Sequence, residues 1–124
     1  MILCDTNILI EFYKGRTDVV KALTDIGVAD IAVSVVTVGE LYFGARDKRE
    51  LQRLQQNLAL LQQISIDENI STQCLALLEK YVLSHKLSFP DALIAATAIK
   101  LSIPLYTLNV KDFNYLPGIT LHLP

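Results

Sequence analysis

The chain has 124 residues, of which 52% are hydrophobic and 19% charged, and its formal net charge is -2. This length suits one domain that buries a core without cross-links, and the apolar content excludes a disordered chain. The acidic balance excludes capture of nucleic acid by bulk charge, because domains that work that way are strongly basic; a nucleic-acid substrate here requires local basic patches and bound cations.

Ile2-Leu3-Cys4 is a short apolar run ending at Asp5, the pattern of a buried strand. Thr6 and Asn7 offer capping groups, and the chain then continues as a helix through Tyr13 to Gly15. Thr17 or Asp18 is positioned to cap a second helix, with Val19, Val20, Leu23 and Ile26 on one face and Gly27 at its end. Ile31-Ala32-Val33 is β-branched and uncharged, a second strand. After Ser34 the spacing of Val35, Val38, Leu41 and Tyr42 becomes helical. Leu51, Leu54, Leu58 and Leu61 recur at three- and four-residue steps, which predicts an amphipathic helix. Ile64-Ser65-Ile66 is a third strand candidate, followed by a long helix from about Glu68 to His85. Pro90 stands at the start of an alanine-rich helix running from Asp91 to about Leu101. Leu105-Tyr106-Thr107 is a fourth strand, and Pro117-Gly118 marks a turn before a last short strand, Thr120 to Leu123.

Strands alternating with helices predict a three-layer α/β/α domain with a mostly parallel central sheet. No linker, repeat or low-complexity segment divides residues 1–124, so a single domain is expected. Cys4 and Cys74 form no C-x-x-C pair and no zinc spacing with His85 or His122, and both read as small core hydrophobes. The first residues carry no basic stretch of the kind that opens a secretory signal, and no apolar stretch is long enough to span a membrane. The expectation is a soluble cytoplasmic protein.

Four acids stand out because a charge is awkward where they sit. Asp5 follows directly on the first strand, and Glu40 and Asp91 each interrupt uncharged helical stretches. Asp112 lies just beyond the fourth strand. In an α/β sheet, groups at the carboxyl ends of strands and on the helices that follow face a common crevice. Carboxylates that converge there repel one another and are tolerated only with protons or cations present. Oxygen-only ligands suit Mg²⁺ or Mn²⁺, and a cation so held activates water against a phosphodiester. Each acid also has a plainer reading. Asp5 fits an N-cap, Asp91 a favourable charge at a helix start, Glu40 a helix-surface acid and Asp112 a loop acid. The residues alone leave both readings open.

At these residues the sequence resembles the PIN-domain nucleases. The resemblance runs through Met1 to Ile10, Ser34-Val35-Val36-Thr37-Val38-Gly39-Glu40-Leu41, Pro90-Asp91-Ala92-Leu93-Ile94-Ala95-Ala96 and Thr107-Leu108-Asn109-Val110-Lys111-Asp112-Phe113, in that order. It is most similar to the short VapC-type toxins of prokaryotic toxin–antitoxin pairs. The resemblance implies an endoribonuclease that uses Mg²⁺ or Mn²⁺ to cleave structured RNA such as tRNA or rRNA. It assigns Asp5, Glu40, Asp91 and Asp112 as metal-binding and catalytic acids. Some relatives carry an acid where this chain has Asn109, so the fourth ligand is divided between Asn109 and Asp112. Thr6, Asn7 and Thr107 match polar groups that support the acids. The resemblance further implies a homodimer and a VapB-type antitoxin partner that covers an apolar groove. Lys14, Arg16, Arg46, Lys48, Arg49 and Lys111 are candidates for contacts to RNA phosphates, with ordinary solvated surface as the competing reading.

Three rivals are set against that function. A housekeeping RNA-processing nuclease of the same fold is disfavoured by the short chain, and an adjacent antitoxin gene would separate the two. A non-catalytic interaction module of the same fold is the second. A receiver-like phosphoacceptor is the third, but it needs an acidic pair ahead of its acceptor, and this chain has Asp5-Thr6-Asn7.

Overall fold

A computed structural model describes residues 1–124. Four strands form one sheet: β1 (Ile2–Cys4), β2 (Ile31–Ser34), β3 (Gln62–Ile64) and β4 (Leu105–Tyr106), in the order β3-β2-β1-β4. All pairings are parallel, with Leu3 opposite both Ala32 and Leu105 and with Val33 opposite Gln63. Six helices surround them: α1 (Thr6–Tyr13), α2 (Thr17–Ile26), α3 (Val35–Phe43), α4 (Lys48–Leu58), α5 (Glu68–His85) and α6 (Phe89–Leu101). The α/β architecture predicted above is present, and the sheet is parallel throughout.

Strand residues alternate between two cores, as the pleat requires. Leu3, Ala32 and Leu105 face one cluster, completed by Ile70, Cys74 and Leu77 of α5 and by Ala92, Ile94, Ala95, Ala96 and Ala98 of α6. Cys4, Ile31, Val33 and Tyr106 face the other, completed by Ile8 and Leu9 of α1, Val19 and Leu23 of α2, Val38 and Leu41 of α3, and Leu58 of α4. Both faces of the sheet are therefore covered, which is why β1 and β2 read as unbroken apolar runs. Alanines let α6 lie close to its neighbours, and Ala92, Ala95 and Ala96 are fully buried. Both cysteines are buried and unpaired. No helix is long and apolar enough to cross a membrane.

Three local expectations are corrected. The third strand lies at Gln62–Ile64, two residues ahead of the predicted Ile64–Ile66. The last strand shrinks to a single bridge, Leu121 against Leu105, closed by hydrogen bonds of Leu105 to Thr120 and of His122 to Leu105, each 2.8 Å. Helix α2 starts at Thr17 behind Arg16, which gives no side-chain cap; Asp18 lies inside the first turn, where its Oδ1 accepts the Val19 N–H at 3.0 Å. Asp18 also forms an ion pair with Arg16.

Helix starts are otherwise capped by short polar side chains. Ser34, Asp47, Asp67 and Ser88 accept backbone N–H groups of α3, α4, α5 and α6. Each such cap contributes about 1 kcal/mol. Two helices end on left-handed residues that are not glycine: Lys86 after α5 and Ser102 after α6, both at φ 54°.

Candidate active site

The sheet order sends the chain from β1 to β2 on one side and leaves β4 on the other. Beyond the carboxyl end of the central strand β1 there is thus a crevice between the loops that follow its two neighbours. Asp5 stands at that point. It is the residue between β1 and α1, its backbone is extended (φ -69°, ψ 159°), and its Oδ1 accepts the Thr6 N–H at 2.8 Å. The capping role and the buried-acid role are therefore both real and fall on the same carboxylate.

Its other oxygen is held by the chain that leaves β4. Thr107 donates its hydroxyl proton to Asp5 Oδ2 at 2.8 Å, and the Asn7 amide approaches the same oxygen at 3.3 Å. Having given its only proton away, Thr107 Oγ1 accepts from the Asn109 backbone N–H at 3.0 Å and faces Asn7 Nδ2 at 3.5 Å. Asn7 closes the ring by accepting the Leu108 N–H at 3.2 Å. Every buried polar side-chain atom in the chain has a partner. Asp5 is only 5% exposed.

Glu40 and Thr37 come from α3, which is aimed at the site because it starts directly at the end of β2. Thr6 Oγ1 lies 2.7 Å from Glu40 Oε1 and 3.0 Å from Thr37 Oγ1. A carboxylate only accepts, so the Thr6 proton goes to Glu40 and Thr37 donates to Thr6. Asp91 sits in the first turn of α6, its backbone N–H bonded to Ser88 Oγ at 3.2 Å. Asp112 ends a short 3-10 turn, Val110–Asp112, beyond β4 and is exposed.

The electrostatics show that the four acids share one region. Burial lifts the Asp5 carboxyl above its ordinary range, the Thr107 and Thr6 hydrogen bonds oppose that, and the charges of Glu40 and Asp112 push it further up. Asp91 is raised to about 6, by burial first and then by the charges of Asp5 and Asp112, with Ser88 opposing and Glu40 adding a smaller push. No trio of acid, histidine or cysteine side chains is arranged to clamp a bare ion directly. An oxygen-only set spread in this way suits a cation that keeps part of its water shell, as Mg²⁺ does.

Asp5, Glu40, Asp91 and Asp112, with Thr6, Asn7 and Thr107, thus gather at one crevice. At the fourth position it is the Asp112 charge that reaches Asp5 and Asp91, while Asn109 contributes its backbone N–H. Thr37 was missed, although a hydroxyl in the apolar run Val35 to Leu41 is a signal of the same kind as Glu40. The basic residues divide. Lys14 and Arg46 line a groove of about 590 Å³ that has Glu40 and Glu50 in its wall and also includes Arg53, which was not singled out; Arg46 pairs with Glu50 at 3.1 Å and Lys14 lies 3.9 Å from Glu11. Arg16 is held by Asp18 through two contacts of 2.8 and 3.2 Å. Lys111 is exposed beside Asp112, and Lys48 and Arg49 lie at the exposed start of α4 outside the groove lining.

Comparison with known proteins agrees with this geometry. The PIN domain family matches residues 2–117. Ribonuclease VapC10 of Mycobacterium tuberculosis is 36% identical over 120 residues, covering 91% of this chain and 86% of that protein. Among solved structures, a toxin–antitoxin complex from Klebsiella pneumoniae is 36% identical, with a TM-score of 0.82 over 97% of this chain and 96% of its own. VapBC2 from Rickettsia felis, solved bound to a DNA fragment from its promoter, shares the fold at 23% identity, with a TM-score of 0.82 and 98% of each chain covered. The match over nearly the whole chain, with Asp5, Glu40, Asp91 and Asp112 at one crevice, makes this a PIN-domain protein of the VapC type.

Proposed function

We propose that this protein is the toxin of a VapBC-type toxin–antitoxin pair, an endoribonuclease that depends on Mg²⁺ or Mn²⁺ and cleaves structured RNA such as tRNA or rRNA. The observation that carries the reading is an acid, Asp5, buried at the end of β1 within the field of three others: burial first, and then the neighbouring charges, raise Asp5 and bring Asp91 to about 6. A chain that keeps such repulsion in a crevice gives up stability for it, and a bound divalent cation relieves the repulsion. Asp5, Asp91, Glu40 and Asp112 would hold that cation. When bound, it lowers the pKa of water and stabilises the charge that develops on a phosphodiester.

The protein's own groups perform the remaining work. Thr107 and Asn7 fix Asp5 Oδ2 and the Thr6 N–H fixes Oδ1, so the ligand needs little reorganisation. Thr6 orients Glu40, whose free oxygen is available to take a proton from an attacking water. Arg53 along the groove, with Lys14 and Arg46 exchanging their Glu11 and Glu50 partners for phosphate, suits phosphates flanking the scissile bond.

A VapB-type partner is supported by the toxin–antitoxin complexes among the similar structures. An apolar groove of about 500 Å³, lined by Leu9, Phe12, Leu23, Val28, Leu60 and Leu61, offers that partner a seat. Phe43 and Leu83 are 94% and 92% exposed, apolar surface of the kind a second copy of the chain covers in a homodimer.

The test is RNA cleavage by the purified protein in Mg²⁺ or Mn²⁺. Cleavage is expected, and EDTA and Asp5→Asn are each expected to abolish it. Activity that persists in Asp5→Asn would overturn the site assignment.

A further inference from the structure

Beside the acids lies a set of aromatic rings that the proposed reaction does not use. The His85 ring lies flat on Tyr115, with centroids 3.9 Å apart and planes at 13°, and Tyr81 meets both rings edge-on at 5.6 and 5.2 Å. Tyr81 and Tyr115 pack against the core on the α5–α6 side of the sheet, so the lower rings are anchored. His85 is exposed, in the last turn of α5. Its Nδ1 is tied to Ser84 Oγ at 2.7 Å, which sets the ring plane.

The location connects this stack to the acids. Tyr115 comes three residues after Asp112, and burial together with the charges of Asp112 and Asp91 raises its phenol. His85 is joined to the first turn of α6, which carries Asp91, by the short turn through Lys86 and Ser88. Tyr115 covers one face of the His85 ring and Tyr81 its edge, so the remaining face is the one turned to solvent.

We propose that His85, supported from below by Tyr115, is a stacking platform for an unpaired nucleobase of the RNA, next to the phosphodiester held at the acids. The inference rests on the ribonuclease reading and adds a residue that selects substrate. Stacking is the contact this chain most needs, because its net charge of -2 denies it bulk attraction for a polyanion. A flat ring already packed on another ring receives a base without having to be ordered first, and it favours RNA whose bases are splayed out of a helix. Histidine in this role is a base-contacting residue and does not take part in the bond-breaking step.

The experiment measures cleavage and binding of total tRNA, of rRNA and of random-sequence single-stranded RNA 12-mers by wild type, His85→Ala and His85→Phe in Mg²⁺ or Mn²⁺. Inorganic polyphosphate serves as a base-free polyanion. Loss of the ring is expected to raise KM and Kd for the RNA about tenfold, within the range found when one stacked base is lost, with kcat changed little. His85→Phe is expected to restore RNA affinity, and polyphosphate is expected to bind all three proteins alike. Thermal melting separates a structural role: if the stack only pins Tyr115 to α5, His85→Ala lowers Tm and leaves RNA affinity at the wild-type value. That result, in a wild type that cleaves RNA, overturns the platform alone. A wild type that neither binds nor cleaves RNA overturns the ribonuclease reading and the platform with it. Equal weakening toward polyphosphate also overturns the platform, since the ring would then serve phosphate contacts.

Discussion

Thr107 donates its hydroxyl to Asp5 Oδ2 at 2.8 Å across 102 positions of sequence, and this bond joins the loop after β4 to the end of β1. It does two things at once. It satisfies a carboxylate oxygen that is buried, and it opposes the rise of the Asp5 pKa caused by burial and by the neighbouring acids.

Thr107→Val keeps the shape of the side chain and removes the hydroxyl. Asp5 then loses a donor, and the Asn109 N–H loses its acceptor. Stability is expected to fall by about 1–3 kcal/mol, the usual cost of a buried polar group left unpaired. Without the bond that lowers it, the Asp5 carboxyl titrates at higher pH. The acid limb of the pH–rate profile therefore moves up, and cleavage near neutrality drops roughly 10- to 100-fold, as with other residues that orient metal ligands. Thr107→Ser is expected to restore most of both, and denaturant melts with a pH–rate series check it.

Asp91→Asn is expected to stabilise the metal-free protein at neutral pH. In the unfolded chain this carboxyl titrates near 3.8, and in the fold near 6. Below pH 3.8 both states are protonated and the fold carries no repulsion. Between 3.8 and about 6 the unfolded state ionises first, so stability falls as pH rises, and above about 6 the whole contribution is lost. Asparagine carries no charge and escapes that loss. Asp91 is only half-buried, so water screens it, and the helix start favours a negative charge there. The net gain at pH 7 is expected to be on the order of 1 kcal/mol, a Tm rise of a few degrees. It should vanish near pH 4. Saturating Mg²⁺ should reverse the order of the two Tm values, because the wild type alone gains the full binding energy. A variant less stable than wild type at pH 7 without metal would contradict the account.

Ser102 and Lys86 hold φ at 54° where their helices end. A side chain at Cβ makes that conformation cost about 1–2 kcal/mol, and glycine is free of the penalty. Ser102→Gly and Lys86→Gly are each expected to stabilise the fold by about 0.5–1 kcal/mol, after the entropy that glycine adds to the unfolded chain is deducted. Ser102 lies at the end of α6 away from Asp91, so cleavage serves as the control for Ser102→Gly alone, whereas Lys86 adjoins His85. The measurement is Tm for both variants and RNA cleavage for Ser102→Gly, with its rate unchanged.

The strong periodic segments were legible in the sequence. Leu51, Leu54 and Leu58 locate α4, and the buried runs Ile2–Cys4 and Ile31–Ser34 locate the central strands, because burial on both faces leaves no polar residue to confuse the pattern. The edges were not legible. In β3 two of the three paired residues, Gln62 and Gln63, are exposed and polar, so hydrophobicity points instead to Ile64 and Ile66. Thr120 to Leu123 has strand composition, yet only Leu121 pairs, because pairing depends on how far the chain travels beside β4. In the site, the acids were found because each breaks an apolar context. Thr37 was not, although it breaks an apolar run as Glu40 does, and Arg53 was not, since a basic residue on a helix reads as ordinary until its partner is known. Arg16 was expected to be available for phosphate and is paired with Asp18, a neighbour whose role sequence spacing does not settle.

The length of chain between Asp5 and Thr107 also governs when the crevice comes into being during synthesis. The first acid leaves the ribosome at the start, but the hydroxyl that holds it, and Asp112 beyond it, belong to the last fifth of the chain. Loop closure over such a separation waits for β4 to dock beside β1. A growing chain therefore carries Asp5 for most of its synthesis with no pocket around it. A chain built in this order acquires the crevice only once β4 has emerged and docked beside β1.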